Sequence, residues 1–523
     1  MSKRRIAGLA VLLALCSAPS PGLAQEDWSE PEVAQSAAGG RDAEARRRLS
    51  ELETKIRKME GRQTKADEER EDKFAFDWSG KFKVQGNVRD DFNLGSPLQR
   101  WGFDNRAFTD YRFQLRLDAH WKAWQVVALL DKGNFMFDWK EDSEGTMERW
   151  GEFLTVRYPF FRELYLQYTG PLVMQAGRAN LALGNGIVLE GPVDQLRLSY
   201  PAGVLPGLGP VTFSGSYLAL AGGYNSYADF RKTGPPAGDR SQLFQADTRL
   251  SGVAAGAALR PAPGATAEIY AVKVLDQAGN ADLNLDKDFD MGTLPRDGGF
   301  EPLWTGLAVK GRSYGWEWSA EGILLRGSYA RGRQANANAV FASLRRPLKI
   351  SSWERLALGV EYARGSGNKA GDPAGGTERG FQALSTCRER KKFGNIFTED
   401  IRAGFSSLWD SNLANLTVYR VLAEIAPKKG WSLTPAFALF RATEDVYQGR
   451  GVVRDWSRGT ATSERTTRDV GWEADFNATF PIIERLNGYL DIGYFQPGRA
   501  YALASGARAP DAHEVVLGME LKF

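Results

Sequence analysis

The sequence predicts an all-β chain: a transmembrane antiparallel β-barrel of about 16–18 strands, preceded by a short N-terminal coiled-coil helix. Three observations carry this. The segment Val515–Phe523 alternates, with Val515, Leu517, Met519, Leu521 and Phe523 on one face and Glu514, Glu520 and Lys522 on the other. Successive side chains of a strand point to opposite sides, so this strand has one greasy face and one wet face. The same period of two recurs from Phe74 onward, and after the leader no apolar run reaches the length of a membrane-spanning helix.

In chain order, residues 1–24 read as a signal peptide. Lys3, Arg4 and Arg5 precede an apolar stretch from Ile6 to Cys16, and Gly22-Leu23-Ala24 forms a small-residue cleavage site. Residues 25–40 are a polar linker expected to be disordered. Residues 41–73 are dense in charge and free of proline. Within them Ala45, Leu49, Leu52, Ile56, Met59, Gln63 and Ala66 follow the 4-3 spacing of a coiled-coil seam, expected on the periplasmic side. Leu49, Leu52, Ile56 and Met59 are the residues through which the chain could form a homo-oligomer.

Residues 74–523 supply the barrel. Trp78, Phe82, Val84 and Val88 alternate with polar residues, as do Tyr111, Phe113, Leu115, Leu117, Ala119 and Trp121. Further runs follow to the C-terminus. Lys122-Ala123-Trp124 and Pro261–Gly264 suit short periplasmic turns; Asp138–Arg149, Asp276–Gly299, Gly365–Thr377 and Gln448–Thr467 suit long external loops. The chain has 15 Trp, 17 Tyr and 28 Phe, enough for aromatic girdles at both membrane interfaces.

Charge and composition exclude several function classes. The leader removes three of the 67 Lys and Arg and none of the 64 Asp and Glu, so the mature formal charge is about zero and gives no case for nucleic-acid binding. Cys387 is the only cysteine outside the leader, and His120 and His513 are the only histidines. No intrachain disulfide or histidine cluster can be assembled from these, and nothing singles out a Ser–His catalytic set, so neither a cofactor nor an enzymatic activity is expected. The polar faces carry the remaining signal. In the register of the first strands, Lys81, Lys83, Arg89, Arg112, Arg116 and Lys122 face the lumen; Arg178 and Arg197 join them, with Glu163 and Asp194 as counter-charges. Such a basic ladder favours anionic solutes, because a low-dielectric wall focuses the field into the pore. The plainer reading is that these arginines pair with carboxylates only to avoid isolated charge.

Three segments resemble the alginate-export family of outer-membrane barrels. They are Met174–Gly184 (MQAGRANLALG) with Asp194–Tyr200, then Gly359–Gly367 (GVEYARGSG) with Gly380–Leu384 and Phe393–Asn395, and Gly471–Asp475 followed by Gly493–Gly498. The resemblance runs from about residue 75 to the end and implies an 18-stranded monomeric barrel whose arginine-lined constriction passes an anionic polysaccharide. It carries Arg178 and Arg197 over as pore-lining. Ala179 and Asn185 depart from the family's usual Gln and Asp.

The expected protein is therefore a passive channel in the outer membrane of a Gram-negative bacterium, for anionic saccharides or small carboxylated solutes. Its expected partners are membrane lipid and, through the Phe523 strand, the barrel assembly machinery. The alternatives are a general porin oligomerised by its coiled coil and a barrel scaffold that sheathes an electron-transfer partner.

Overall fold

The computed structural model describes residues 74–91, 94, 106–136, 161–221, 250–276, 301–329, 333–371, 376–384, 393–397, 413–449, 464–503 and 505–523. The leader, the linker, the heptad segment with Leu49, Leu52, Ile56 and Met59, the loop expectation at 138–149 and Cys387 lie outside them.

The strands are β1 (Ala75–Asp90), β2 (Arg106–Trp121), β3 (Trp124–Met136), β4 (Phe161–Tyr168), β5 (Val173–Ala182), β6 (Glu190–Leu205), β7 (Gly209–Ala221), β8 (Leu250–Ala262), β9 (Ala265–Asp276), β10 (Glu301–Ser313), β11 (Trp316–Tyr329), β12 (Arg333–Leu348), β13 (Arg355–Gly365), β14 (Thr377–Glu378), β15 (Leu416–Ala426), β16 (Ser432–Tyr447), β17 (Thr466–Ile483), β18 (Leu486–Pro497) and β19 (Ala512–Lys522). All but β14 pair antiparallel with their chain neighbours, and β1 closes the ring against β19, giving an 18-stranded barrel. β14 is an inner two-residue strand, parallel to the start of β12.

Closure is physically required, because the hydrocarbon offers no water to an open strand edge. The seam runs from Lys81 opposite Lys522 to Asp90 opposite His513. It ends in a reciprocal pair: the Gly80 N–H donates to the Phe523 carbonyl at 2.8 Å and the Phe523 N–H to the Gly80 carbonyl at 3.0 Å. Both faces of β19 fall as alternation predicts. Leu517 is 59% exposed toward lipid, whereas Glu514 is 1% exposed on the inner side. The Phe523 ring lies 5.9 Å from Trp78 and 6.2 Å from Phe113, over the bare Cα of Gly80, where a Cβ would overlap it.

Short turns gather at the end that carries Ala75 and Phe523. Among them, Lys122-Ala123 joins β2 to β3 and Pro263-Gly264 lies between β8 and β9. Lys122 adopts φ 53° and holds its ammonium 5.6 Å from the Trp121 ring, so it belongs to the turn and not to the lumen wall. The connection after β13 also departs from expectation. Its described parts turn into the barrel, and Phe381 is fully buried there.

Gly80→Val should therefore push against the terminal ring and cost roughly 1–3 kcal/mol, as overpacking does. The expected result is a lower unfolding midpoint in urea and less of the compact, heat-modifiable species on gels.

Candidate functional site

Two connections fold inward and fill part of the lumen. The first, 183–189, reads Leu-Gly-Asn-Gly-Ile-Val-Leu. Exposed in water it would present four large apolar side chains; inside it buries Leu183, Ile187, Val188 and Leu189 against Tyr270, Trp304 and Ile323 of the wall. Gly184 and Gly186 take φ 58° and 73°, which close the loop so that the Leu183 N–H reaches the Leu189 carbonyl at 3.0 Å. The loop tip is held by carboxylates. Gly184 N–H donates to Glu268 Oε2 at 3.3 Å and Asn185 N–H to Glu321 Oε2 at 2.8 Å. The Tyr270 hydroxyl also donates to Glu321, and its ring occupies the space left by Gly306.

The second connection contributes 376–384 and 393–397. Glu473 on β17, fully buried, accepts the N–H groups of Ile396 at 2.6 Å and Phe397 at 2.8 Å. Asn395 Nδ2 donates to Asn477 Oδ1 at 3.0 Å and to the Ile492 carbonyl at 3.1 Å. The Phe397 ring packs 4.2 Å from Phe440 and 5.2 Å from Phe495. Gly394 lets this backbone approach, since a Cβ there would sit 2.6 Å from Glu473. The two connections are joined by Leu384 N–H to the Val188 carbonyl at 2.9 Å. Glu378 on β14 accepts from Gly380 N–H at 2.8 Å and Arg333 at 3.3 Å. Burial nevertheless raises its carboxyl above the ordinary range, against the pull of those donors.

The sequence-predicted charges separate into three groups. Lys81, Lys83, Arg89, Arg112, Arg116, Glu163 and Arg197 stand on inward positions. Arg89 pairs with Glu514 across the seam at 2.7 Å, and both are buried. Lys81 lies 4.0 Å from Glu520, and Lys83 sits over the Tyr489 ring at 4.1 Å. Arg116 holds Asp118 at 2.7 Å and Glu163 at 3.3 Å. Arg112 grips Asp131, which Arg162 also reaches at 3.2 Å. Lys122 is the turn residue described above. Arg178 and Asp194 form a bidentate pair at 2.8 and 2.9 Å, but on the outward face of the wall. Arg178 stands opposite Leu164, and Asp194 shares the side of Leu196, both exposed toward lipid. The resemblance carried Arg178 into the pore and the reading of the polar faces added Asp194 as a counter-charge; the parity of β5 and β6 puts neither there, since Ala179 and Gln195 hold the inward positions.

A second inward set was missed. Arg345 bonds Glu361 at 3.1 Å and Glu424 at 2.7 Å; Arg420 reaches the other oxygen of Glu361 at 3.0 Å; Arg355 reaches Glu424 at 2.8 Å. The signal was present. Glu361 stands between outward Val360 and Tyr362, and Arg420 between outward Tyr419 and Val421, so extending the alternation along β13 and β15 finds them.

The profile of the family described as alginate export matches residues 245–514, which takes in β8 to β18 and the start of β19. The chain belongs to the alginate-export family. It is thus an outer-membrane β-barrel channel, and its place is a Gram-negative outer membrane. The matched span contains the second and third resembling segments, while Met174–Gly184 lies before it. No curated protein matches the chain. Among solved structures, similar ones include three from Pseudomonas aeruginosa. They are OccK11 (OpdR), at 13% identity and TM-score 0.48 over 86% of this chain and 96% of that one; OpdO, at 13% and 0.47 over 86% and 97%; and OccK2 (OpdF) in complex with glucuronate, at 10% and 0.47 over 86% and 96%.

Glu473→Leu should strand two buried N–H groups, at about 1–3 kcal/mol each. Residues 393–397 should then leave the wall, seen as higher single-channel conductance and faster protease cutting in that segment than in the native barrel.

Proposed function

We propose that this barrel passes anionic saccharides or other carboxylated solutes passively, without catalytic turnover. The observation that supports it is how the inner carboxylates are shared. Asp131 is held by Arg112 and Arg162, Glu361 by Arg345 and Arg420, and Glu424 by Arg345 and Arg355. Among the pairs named, two guanidiniums share Asp131. Four (Arg312, Arg345, Arg355 and Arg420) share the three carboxylates Glu317, Glu361 and Glu424, Arg355 also lying 3.6 Å from Glu317, so guanidinium donors outnumber carboxylates in both groups. Arg116, which holds two acids, is the local exception. Arg345 Nε–H has no acceptor among the described residues. Guanidinium forks match carboxylate geometry, and in a lumen narrowed by the inward loops a solute travels close to the wall that bears them.

Two further elements complete the reading. Phe523 and its strand are the segment offered to the assembly machinery, and Leu49, Leu52, Ile56 and Met59 form the seam of a periplasmic coiled coil that sets the oligomeric state.

Reversal potentials across a KCl gradient test the proposal. The native channel should favour chloride, and Arg345→Gln with Arg420→Gln should reduce the anion-to-cation permeability ratio by at least about half. A native channel that prefers potassium would overturn it.

A further inference from the structure

Toward the loop end of β11–β13 the outer surface of the wall turns from apolar to basic and polar. Arg326 of β11 follows outward Leu324, and Arg364 of β13 follows outward Val360 and Tyr362; both arginines are exposed. On β12 between them, Asn336 and Asn338 are exposed on the same face, beyond outward Val340. Pairing fixes the side: Arg326 stands opposite Asn336, Leu324 opposite Asn338, and Arg364 opposite Val340. The two guanidiniums therefore start about 10 Å apart across two strand intervals and about 13 Å apart along the strands.

Depth identifies what this face meets. Trp316, exposed toward lipid, marks the short-turn rim of β11, and Arg326 lies ten residues further along the strand. About 33 Å of strand inclined by about 40° rises about 25 Å, the height of the apolar band. The Tyr362 and Tyr419 rings, 5.4 Å apart, supply the aromatic girdle just below Arg364. Both arginines thus leave the wall at the level of the outer-leaflet headgroups. Arg326 Nη1 donates to the Leu325 carbonyl at 2.8 Å and the Ala337 carbonyl at 3.0 Å, which pins the guanidinium to the wall and leaves Nε and Nη2 for an outside acceptor. Among the described residues neither Arg326 nor Arg364 makes an ion pair, and the outward carboxylate nearby, Glu301, is held by Lys273 at 3.2 Å. The outer rim is not basic throughout: at the seam it carries Asp90 opposite His513.

We infer that the outward face of β11–β13 is a docking site for the phosphorylated glycolipid of the outer leaflet. Arg326 and Arg364 each take one phosphate of its disaccharide headgroup, because a guanidinium fork matches phosphate geometry, and the amides of Asn336 and Asn338 bond the sugars between them. The acyl chains then lie along Leu324, Val340 and Val360, which are exposed directly below.

The test is native mass spectrometry of the full-length barrel in detergent, titrated with bisphosphorylated lipid A, with lipid A stripped of both phosphates, or with phosphatidylglycerol. The native barrel should bind bisphosphorylated lipid A at least about tenfold more tightly than either of the others. Arg326→Gln with Arg364→Gln should remove that preference. Arg364→Gln alone, which breaks no hydrogen bond to the wall, should weaken it at least about threefold, and Asp90→Asn with His513→Gln at the seam should leave it unchanged. Equal binding of the dephosphorylated lipid or of phosphatidylglycerol by the native barrel would overturn the site. So would a preference retained by the glutamine variants when their heat-modifiable mobility shows them folded.

Discussion

The structure depends first on the rule that no backbone N–H or C=O can be left without a partner in hydrocarbon. Every strand of the wall pairs on both edges, and the ring is completed where β1 meets β19. The seam concentrates the specific contacts that fix its register. Arg89 meets Glu514 in a buried pair, the Tyr489 hydroxyl donates to Gln85 at 2.7 Å, and Gly80 and Phe523 exchange hydrogen bonds at the rim. A one-residue slip of β19 would turn Glu514 to lipid and leave Arg89 buried without that partner, so these charges exclude the wrong register as effectively as they favour the right one.

The same rule governs the interior. Loops folded into a barrel bring unpaired N–H groups into a space where water is scarce, and buried carboxylates receive them: Glu268 and Glu321 for the first loop, Glu473 for the second. Apolar side chains then seal the contact. The lumen is thus divided by chemistry, with apolar filling where loops meet the wall and shared ion clusters where the wall faces the remaining space.

The wall was largely legible in the sequence, because a period of two states which residues face lipid. The exceptions have physical reasons. β8, Leu250–Ala262, shows little alternation because its inner face is small: Ala254 packs within the apolar core where polar residues would stand in an open wall. Gly365–Thr377 reads as an external loop by length and polarity, and its inward path rests on contacts with distant residues, such as Asn368 with Glu378 and Ala370 N–H with the Asp445 carbonyl. Arg178 faces lipid despite its motif because a motif states neighbours in sequence, whereas lumen or lipid is decided by parity along β5 and β6, and Asp194, expected as a counter-charge, follows Arg178 to the outer face.

By itself the sequence determined the class of fold, the greasy and wet faces, the strand number within its range, and the inward position of Arg89, Arg112, Arg116 and Arg197. These follow from local alternation, which needs no knowledge of what lies across the barrel. Only the tertiary structure decided which charges meet, which carboxylates serve two guanidiniums and which serve loop backbones, and which side Arg178 faces. Those outcomes depend on inter-strand register and on inward loops that bring together residues as far apart as Asn185 and Glu321, and neither is written in any short stretch of chain.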